Sequence, residues 1–168
     1  MQIAQLRAQF LLLSTFLLLL ISGCTDLGNA GGDKENMSTT DNLAKAEAFL
    51  KENATREGII VTESGLQYEV IESGSGKTPQ RSDTVVTHYA GRFLDGTEFD
   101  SSISRGEPLS FPVTGVIAGW TEALLLMQEG DKWRLYIPPE LGYGERGAGG
   151  AIPGNTALIF DINLIEVR

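Results

Sequence analysis

From residue 66 to the C terminus, apolar and polar residues alternate in short runs, and one stretch breaks that period. Leu66, Tyr68 and Val70 alternate with Gln67 and Glu69, and Trp133, Leu135 and Ile137 alternate with Arg134 and Tyr136. Leu158, Phe160, Ile162 and Leu164 alternate with Asp161 and Asn163 in the same way. A period of two marks strands with one face in a core. Residues 85–94 read as a further strand, Asp95-Gly96 as the hairpin turn after it, and Thr97 as the start of the return. Ser73-Gly74-Ser75-Gly76 is another turn. Trp120, Leu124 and Met127 instead recur at helical spacing, and Gly130 suits the end of that helix. The pattern predicts an α+β fold, a mostly antiparallel sheet with one short helix on its apolar face.

Tyr89, Phe99, Trp120, Tyr143 and Phe160 lie on separate segments of this framework, and a carboxylate, Asp100, directly follows Phe99. Each aromatic taken alone reads as core, because aromatic side chains dominate protein interiors. Asp100 is different: in a segment headed inward it needs a polar partner or water, and Arg105 and Tyr143 can supply one. The single histidine, His88, sits in the alternating run Val85-Val86-Thr87-His88-Tyr89 with no nucleophile elbow in the chain. It reads as a strand residue packed or bonded in place. The single cysteine, Cys24, excludes an intrachain disulfide, and one Cys with one His argues against a zinc site. A formal charge of -9 argues against a nucleic-acid partner and against electrostatic docking on anionic lipid.

Residues 11–21 form an almost unbroken apolar run, interrupted by Ser14 and Thr15 and preceded by Arg7. It is too short to cross a bilayer, which takes about 20 residues, and has the length of a signal-peptide core. The run ends Leu20-Ile21-Ser22-Gly23-Cys24, which is similar to the bacterial lipoprotein signal. There, small residues admit the signal peptidase, and the cysteine thiol takes a diacylglycerol through a thioether. Residues 1–23 are therefore expected to be a removable signal, with Cys24 the lipidated residue and several acyl chains giving stable anchoring. Thr25, in place of an aspartate, favours the outer membrane in a Gram-negative cell. Residues 24–40, rich in Gly, Asn, Ser, Thr and Asp, read as a flexible tether. Asp41 is a good N-cap, and Leu43, Ala46, Phe49 and Leu50 follow at helical spacing, so a short helix is expected within residues 41–57. It can pack on its own domain or pair with another chain, since about a dozen helical residues are marginal alone.

Taken together, Tyr89, Phe99-Asp100-Ser101-Ser102, Val116-Ile117-x-Gly119-Trp120, Tyr143-Gly144 and Phe160-Asp161 resemble the proline pocket of FK506-binding proteins (FKBPs). These are peptidyl-prolyl cis-trans isomerases, and the resemblance covers residues 58–168. The entry Thr62-Glu63-Ser64-Gly65-Leu66-Gln67-Tyr68 is similar to that of the macrophage infectivity potentiator subfamily. That subfamily's long dimerisation segment is missing, so a monomer is expected. The resemblance implies a bent sheet wrapped around the short helix, with the pocket between them and with no cofactor or metal. It implies Trp120 as the floor, Tyr89, Phe99 and Phe160 as walls, and Val116 and Ile117 as the lip, where the Ile117 N–H bonds a substrate carbonyl. Asp100 and Tyr143 would form a polar pair at the rim, and Arg105 would hold the aspartate. Ile152 would be an apolar contact of the overhanging loop, and Leu109 a substrate contact where many relatives have phenylalanine. Asp100, Tyr143, Phe99 and Trp120 would be the catalytic set.

The implied activity is isomerisation of X-Pro bonds in exported, proline-containing proteins by a lipid-anchored enzyme. Macrolide inhibitors are implied as further ligands of the pocket. Three departures bear on inhibitor affinity and on the residue preferred before proline: Leu109, Gly115 in place of an acid, and a glycine-rich loop over residues 144–153 with Ala151 and no histidine. A non-catalytic proline-binding module or holdase chaperone is the competing reading. The intact polar rim favours the enzyme.

Overall fold

The computed structural model describes residues 32–168. The expected signal over residues 1–23, the lipidation site Cys24 and the first residues of the tether lie outside the described residues. The elements run α1 (Gly32–Asn53), β1 (Ile59–Val61), β2 (Gln67–Glu72), β3 (Thr84–Arg92), β4 (Glu98–Ser101), α2 (Ser102–Arg105), β5 (Leu109–Pro112), α3 (Ala118–Leu126), β6 (Lys132–Ile137) and β7 (Leu158–Val167), with two short 3-10 turns, Pro139–Leu141 and Gly144–Arg146. All strand pairs are antiparallel, in the order β1-β2-β6-β7-β3-β4, with β5 also on β3. The alternation read from the sequence holds in β6, where Trp133, Leu135 and Ile137 enter the core. In β7, Leu158, Phe160, Ile162 and Leu164 do the same.

Helix α3 crosses the inner face of the sheet and buries Gly119, Trp120, Ala123 and Leu124. Gly119 permits that approach: a Cβ there would stand 2.8 Å from Ile137 Cγ2. The helix ends at Leu126, and Met127 is its C-cap, while Gly130 (φ 96°) makes the next turn. Between β3 and β4 the hairpin closes as expected at Asp95-Gly96, with Gly96 at φ 87° and the Asp95 carboxylate accepting from the Thr97 N–H.

The strand β3 has one edge fully paired with β7, but its other edge is shared. Thr84 to Thr87 pair with β5 and Ala90 to Arg92 pair with β4, which leaves His88 and Tyr89 without a strand partner on that side. The fully buried Ser102 of α2 fills the gap. Its Oγ accepts from the Tyr89 N–H at 2.8 Å and lies 3.3 Å from the Tyr89 carbonyl and 3.1 Å from His88 Nδ1. His88 is thus bonded in place.

Two expectations need correction. The tether was expected to reach residue 40 and the helix to start after an N-cap at Asp41, but α1 already begins at Gly32. Extending a helix that is already nucleated is far less costly than starting one, and most polar residues cost at most about 0.7 kcal/mol each relative to alanine. Asp41 therefore sits inside the helix. The short strand β1 was also not expected. It pairs with β2 through Ile59, Ile60 and Val61, after a turn at Gly58 (φ 84°).

Helix α1 packs on its own domain. Ala46 is buried, Phe49 meets Tyr136 at 5.9 Å between ring centroids, and Asn53 Nδ2 donates to Gln67 Oε1 at 2.9 Å. Gln67 Nε2 in turn donates to the Leu50 carbonyl at 2.8 Å.

Candidate active site

A cavity of about 400 Å³ opens between the inner face of the sheet and the N terminus of α3, and Trp120 forms its floor. Three rings meet Trp120 close to edge-on: Tyr89 at 5.3 Å, Phe160 at 5.3 Å and Phe111 at 5.8 Å between centroids. Phe99 continues the wall, at 5.6 Å and 86° to Phe160. Edge-to-face contacts suit the ring quadrupole and fix each ring against its neighbours. The Trp120 indole N–H is buried without a protein acceptor among the described residues. Val116, Ile117 and Gly115 form the lip. Ile117 is the N-cap of α3, and its carbonyl accepts from the Trp120 and Thr121 N–H groups, both at 3.0 Å.

Asp100 stands at the mouth and is bound twice. The Tyr89 hydroxyl donates to it at 2.6 Å, and Arg105 Nη1 donates to its other oxygen. Arg105 Nη2 also donates to the Tyr89 hydroxyl at 2.9 Å, which closes a three-membered ring of charge-assisted bonds. Arg105 is set for this by α2, a single turn capped by Ser101 Oγ at its start and by Gly106 (φ 81°) at its end. Partial burial pushes the Asp100 carboxyl up, but the Tyr89 and Arg105 bonds outweigh it and hold the group below its ordinary 3.8. Burial and the Asp100 bond push the Tyr89 phenol up. Burial and the Asp100 charge do the same to Tyr143.

The structure thus gathers Tyr89, Phe99, Asp100, Val116, Ile117, Trp120, Tyr143 and Phe160 around one cavity, with Arg105 just behind the rim. Three details differ from expectation. Tyr143 lines the cavity, but the hydroxyl that bonds Asp100 belongs to Tyr89. Leu109 does not line the cavity: it opens the edge strand β5, more than a third exposed. Ile152 does not line it either, because it is buried in the main core, bridged to Ala148 within the loop over residues 144–153. The sequence reading also missed Phe111 as a wall. Its signal was weak, three residues of alternation in Leu109-Ser110-Phe111 with no charge to fix a face. Among the described residues, no group of three His, Cys, Asp or Glu side chains could hold a metal ion.

An antiparallel sheet packed over one short helix, with an aromatic-walled cavity and one carboxylate at its rim, defines a small α+β protein built around a largely apolar pocket. Comparison with known proteins gives the family. Residues 75–165 match the FKBP-type peptidyl-prolyl cis-trans isomerase family, and residues 28–70 match the domain amino-terminal to FKBP-type peptidyl-prolyl isomerases. The FKBP-type 22 kDa peptidyl-prolyl cis-trans isomerase of Escherichia coli is 56% identical over 74% of this chain and 60% of its own length. The outer membrane protein MIP of Legionella longbeachae is 48% identical over 79% of this chain and 57% of its own length. The crystal structure of FkpA from Escherichia coli superposes with a TM-score of 0.78 at 46% identity, covering 82% of this chain and 64% of that one. The chain belongs to the FKBP-type peptidyl-prolyl cis-trans isomerase family. It spans about three fifths of the length of these curated relatives.

Proposed function

We propose that this chain accelerates rotation about X-Pro peptide bonds in exported proteins, holding the proline ring in the aromatic cavity over Trp120. The observation that carries this reading is the cavity's composition: six aromatic lining residues, Tyr89, Phe99, Phe111, Trp120, Tyr143 and Phe160, with Asp100 the one lining carboxylate among the described residues. Amide resonance sets a barrier of about 18–20 kcal/mol, and X-Pro isomers exchange only over tens to hundreds of seconds unaided. No bond breaks, so the reaction calls for no nucleophile or strong base. The twisted amide loses resonance and becomes less polar, and a dry aromatic cavity binds it better than the planar ground state, as differential binding requires. Ile117 N–H and the Tyr143 hydroxyl fix the carbonyls that flank the proline. Asp100, held ionised by Tyr89 and Arg105, complements the carbon end of the twisted carbonyl. Macrolide ligands occupy the same cavity.

The test is isomerisation of a short X-Pro peptide by the wild type and by folded Trp120→Ala and Asp100→Ala variants. Each is expected to lose about tenfold or more in kcat/KM, which corresponds to about 1.4 kcal/mol of transition-state binding. A folded wild type with no activity would assign the cavity to binding alone.

We further propose that Cys24 carries a lipid anchor and places the domain at a bacterial outer membrane. The lipoprotein-like sequence before Cys24 supports this, together with the naming of the Legionella longbeachae relative as an outer membrane protein. Among the described residues no helix is long and apolar enough to cross a membrane. Cys24→Ser is expected to abolish labelling with radioactive palmitate, and labelling that persists would remove the anchor. The packing of α1 on its own sheet supports a monomer, which sedimentation tests.

A further inference from the structure

Helix α1 reaches further than its own packing requires. Its C-terminal half is fixed by Ala46, Phe49 and the buried Asn53–Gln67 amide pair. Its preceding turn touches the C-terminal base of the loop over residues 144–153, which directly follows the cavity residue Tyr143. Asn42 Nδ2 donates to the Gly154 carbonyl at 3.1 Å, and Asn155 Nδ2 donates to the Thr39 carbonyl at 3.3 Å. These two bonds, crossing in opposite directions, span more than 110 residues of sequence. The loop base is tightly closed at the same point. The Asn155 N–H donates to the Gly144 carbonyl at 2.8 Å, and a Cβ on Gly154 would collide with the Glu145 carbonyl. Asn155 is the one non-glycine residue at positive φ (55°) among the described residues, a conformation asparagine tolerates better than most. Gly144 directly follows Tyr143, which lines the cavity. A continuous chain of bonds therefore runs from α1 through Gly154 and Asn155 to Gly144 and the tyrosine at the pocket mouth.

We infer that Asn42 and Asn155 are positioning residues: they clip α1 to the loop that follows Tyr143 and so set Tyr143 against the bound substrate. The kinetic part of this inference rests on the isomerase reading above; the clip itself does not. Asn42→Ala removes one bond. Asn155→Asp keeps the tolerance for positive φ but replaces the donor that faces the Thr39 carbonyl with an acceptor. Asn42→Gln retains a donor, and Leu43→Ala alters the adjacent, exposed helical position.

Two readouts on the full chain test the inference: amide hydrogen exchange across residues 143–152, and kcat and KM measured separately on an X-Pro peptide. In Asn42→Ala and Asn155→Asp, exchange of the loop is expected to quicken about tenfold while the β3, β6 and β7 amides keep their rates. KM is expected to rise about threefold to tenfold with kcat within about twofold, the pattern of lost binding common to ground and transition states. Asn42→Gln should restore both readouts, and Leu43→Ala should leave both unchanged. Unchanged loop exchange and KM in both variants would overturn the inference. So would exchange that quickens equally across the sheet, which would mark the asparagines as general stabilisers. If the wild type proves inactive on every X-Pro peptide, the isomerase reading fails, and the exchange measurement alone still decides whether the clip exists.

Discussion

Gly91 shows how tightly the cavity wall is specified at a single position. A Cβ there would stand 2.7 Å from both Phe160 Cε1 and Phe99 Cζ, so even a methyl group must displace two walls. Gly91→Ala is expected to lower kcat/KM at least about tenfold while the protein stays folded, with displaced Phe99 and Phe160 ring resonances as the structural check. The same close view predicts the pH dependence. The titratable lining groups are Tyr89, Asp100 and Tyr143, with Asp100 below 3.8 and both phenols above 10.0. None changes charge near neutrality. The pH–rate profile on an X-Pro peptide is expected to be flat from about pH 5 to 9, and a bell centred near neutrality would contradict the assignment. All the lining aromatics but Phe111, and Asp100, could be picked out from sequence because their order and spacing matched a known pocket. Which hydroxyl holds Asp100 could not, because Tyr89 and Tyr143 differ only in where the folded chain carries them.

At the scale of elements, the strands were legible wherever one face is buried, because a one-residue slip would turn a whole apolar set to solvent. That held for β6 and β7, whereas in β2 Gln67 is buried and Val70 exposed, so the alternation there did not mark a buried face. The pattern fades in β1 and β5, edge strands of three and four residues with little alternation to read. It also fades in α1, where the early start depends on a helix already nucleated downstream and on bonds to Gly154 and Asn155, more than a hundred residues away. The split edge of β3 was equally invisible, since its stopgap is a serine hydroxyl. Ser102→Ala would leave the Tyr89 N–H buried without that acceptor. The expected loss is about 1–3 kcal/mol in denaturant unfolding, together with reduced isomerase activity. Asn53→Ala should cost a similar amount by stranding the Gln67 side-chain carbonyl, with activity far less affected. A matching loss of activity in both variants would mean that Ser102 acts through stability alone.

For the molecule as a whole, acid should weaken the fold chiefly through the two partly buried carboxylates among those held below their ordinary values, Asp161 and Asp100. Partial burial pushes the Asp161 carboxyl up, but Arg134 and Arg92 outweigh it and hold the group below its ordinary value, as Tyr89 and Arg105 do for Asp100. A carboxyl depressed in the native state binds fewer protons there than in the unfolded chain. Its contribution is therefore complete above the ordinary value of 3.8 and is lost as pH falls through the lower native value. Denaturant midpoints should be level from about pH 7 to 5 and fall below about pH 4, and Asp161→Asn should flatten that fall. A decline already complete at pH 5 would point to other groups. The divided edge of β3 has a consequence of another kind. The charged side of the pocket mouth rides on β4 and α2, while the Phe111 wall rides on β5, and neither strand pairs with the other. Each half can be lengthened, shortened or exchanged while the register of β3 against β7 stays fixed. A designer, or natural variation, can thus retune one side of the ligand's surroundings as a cassette and leave the other in place.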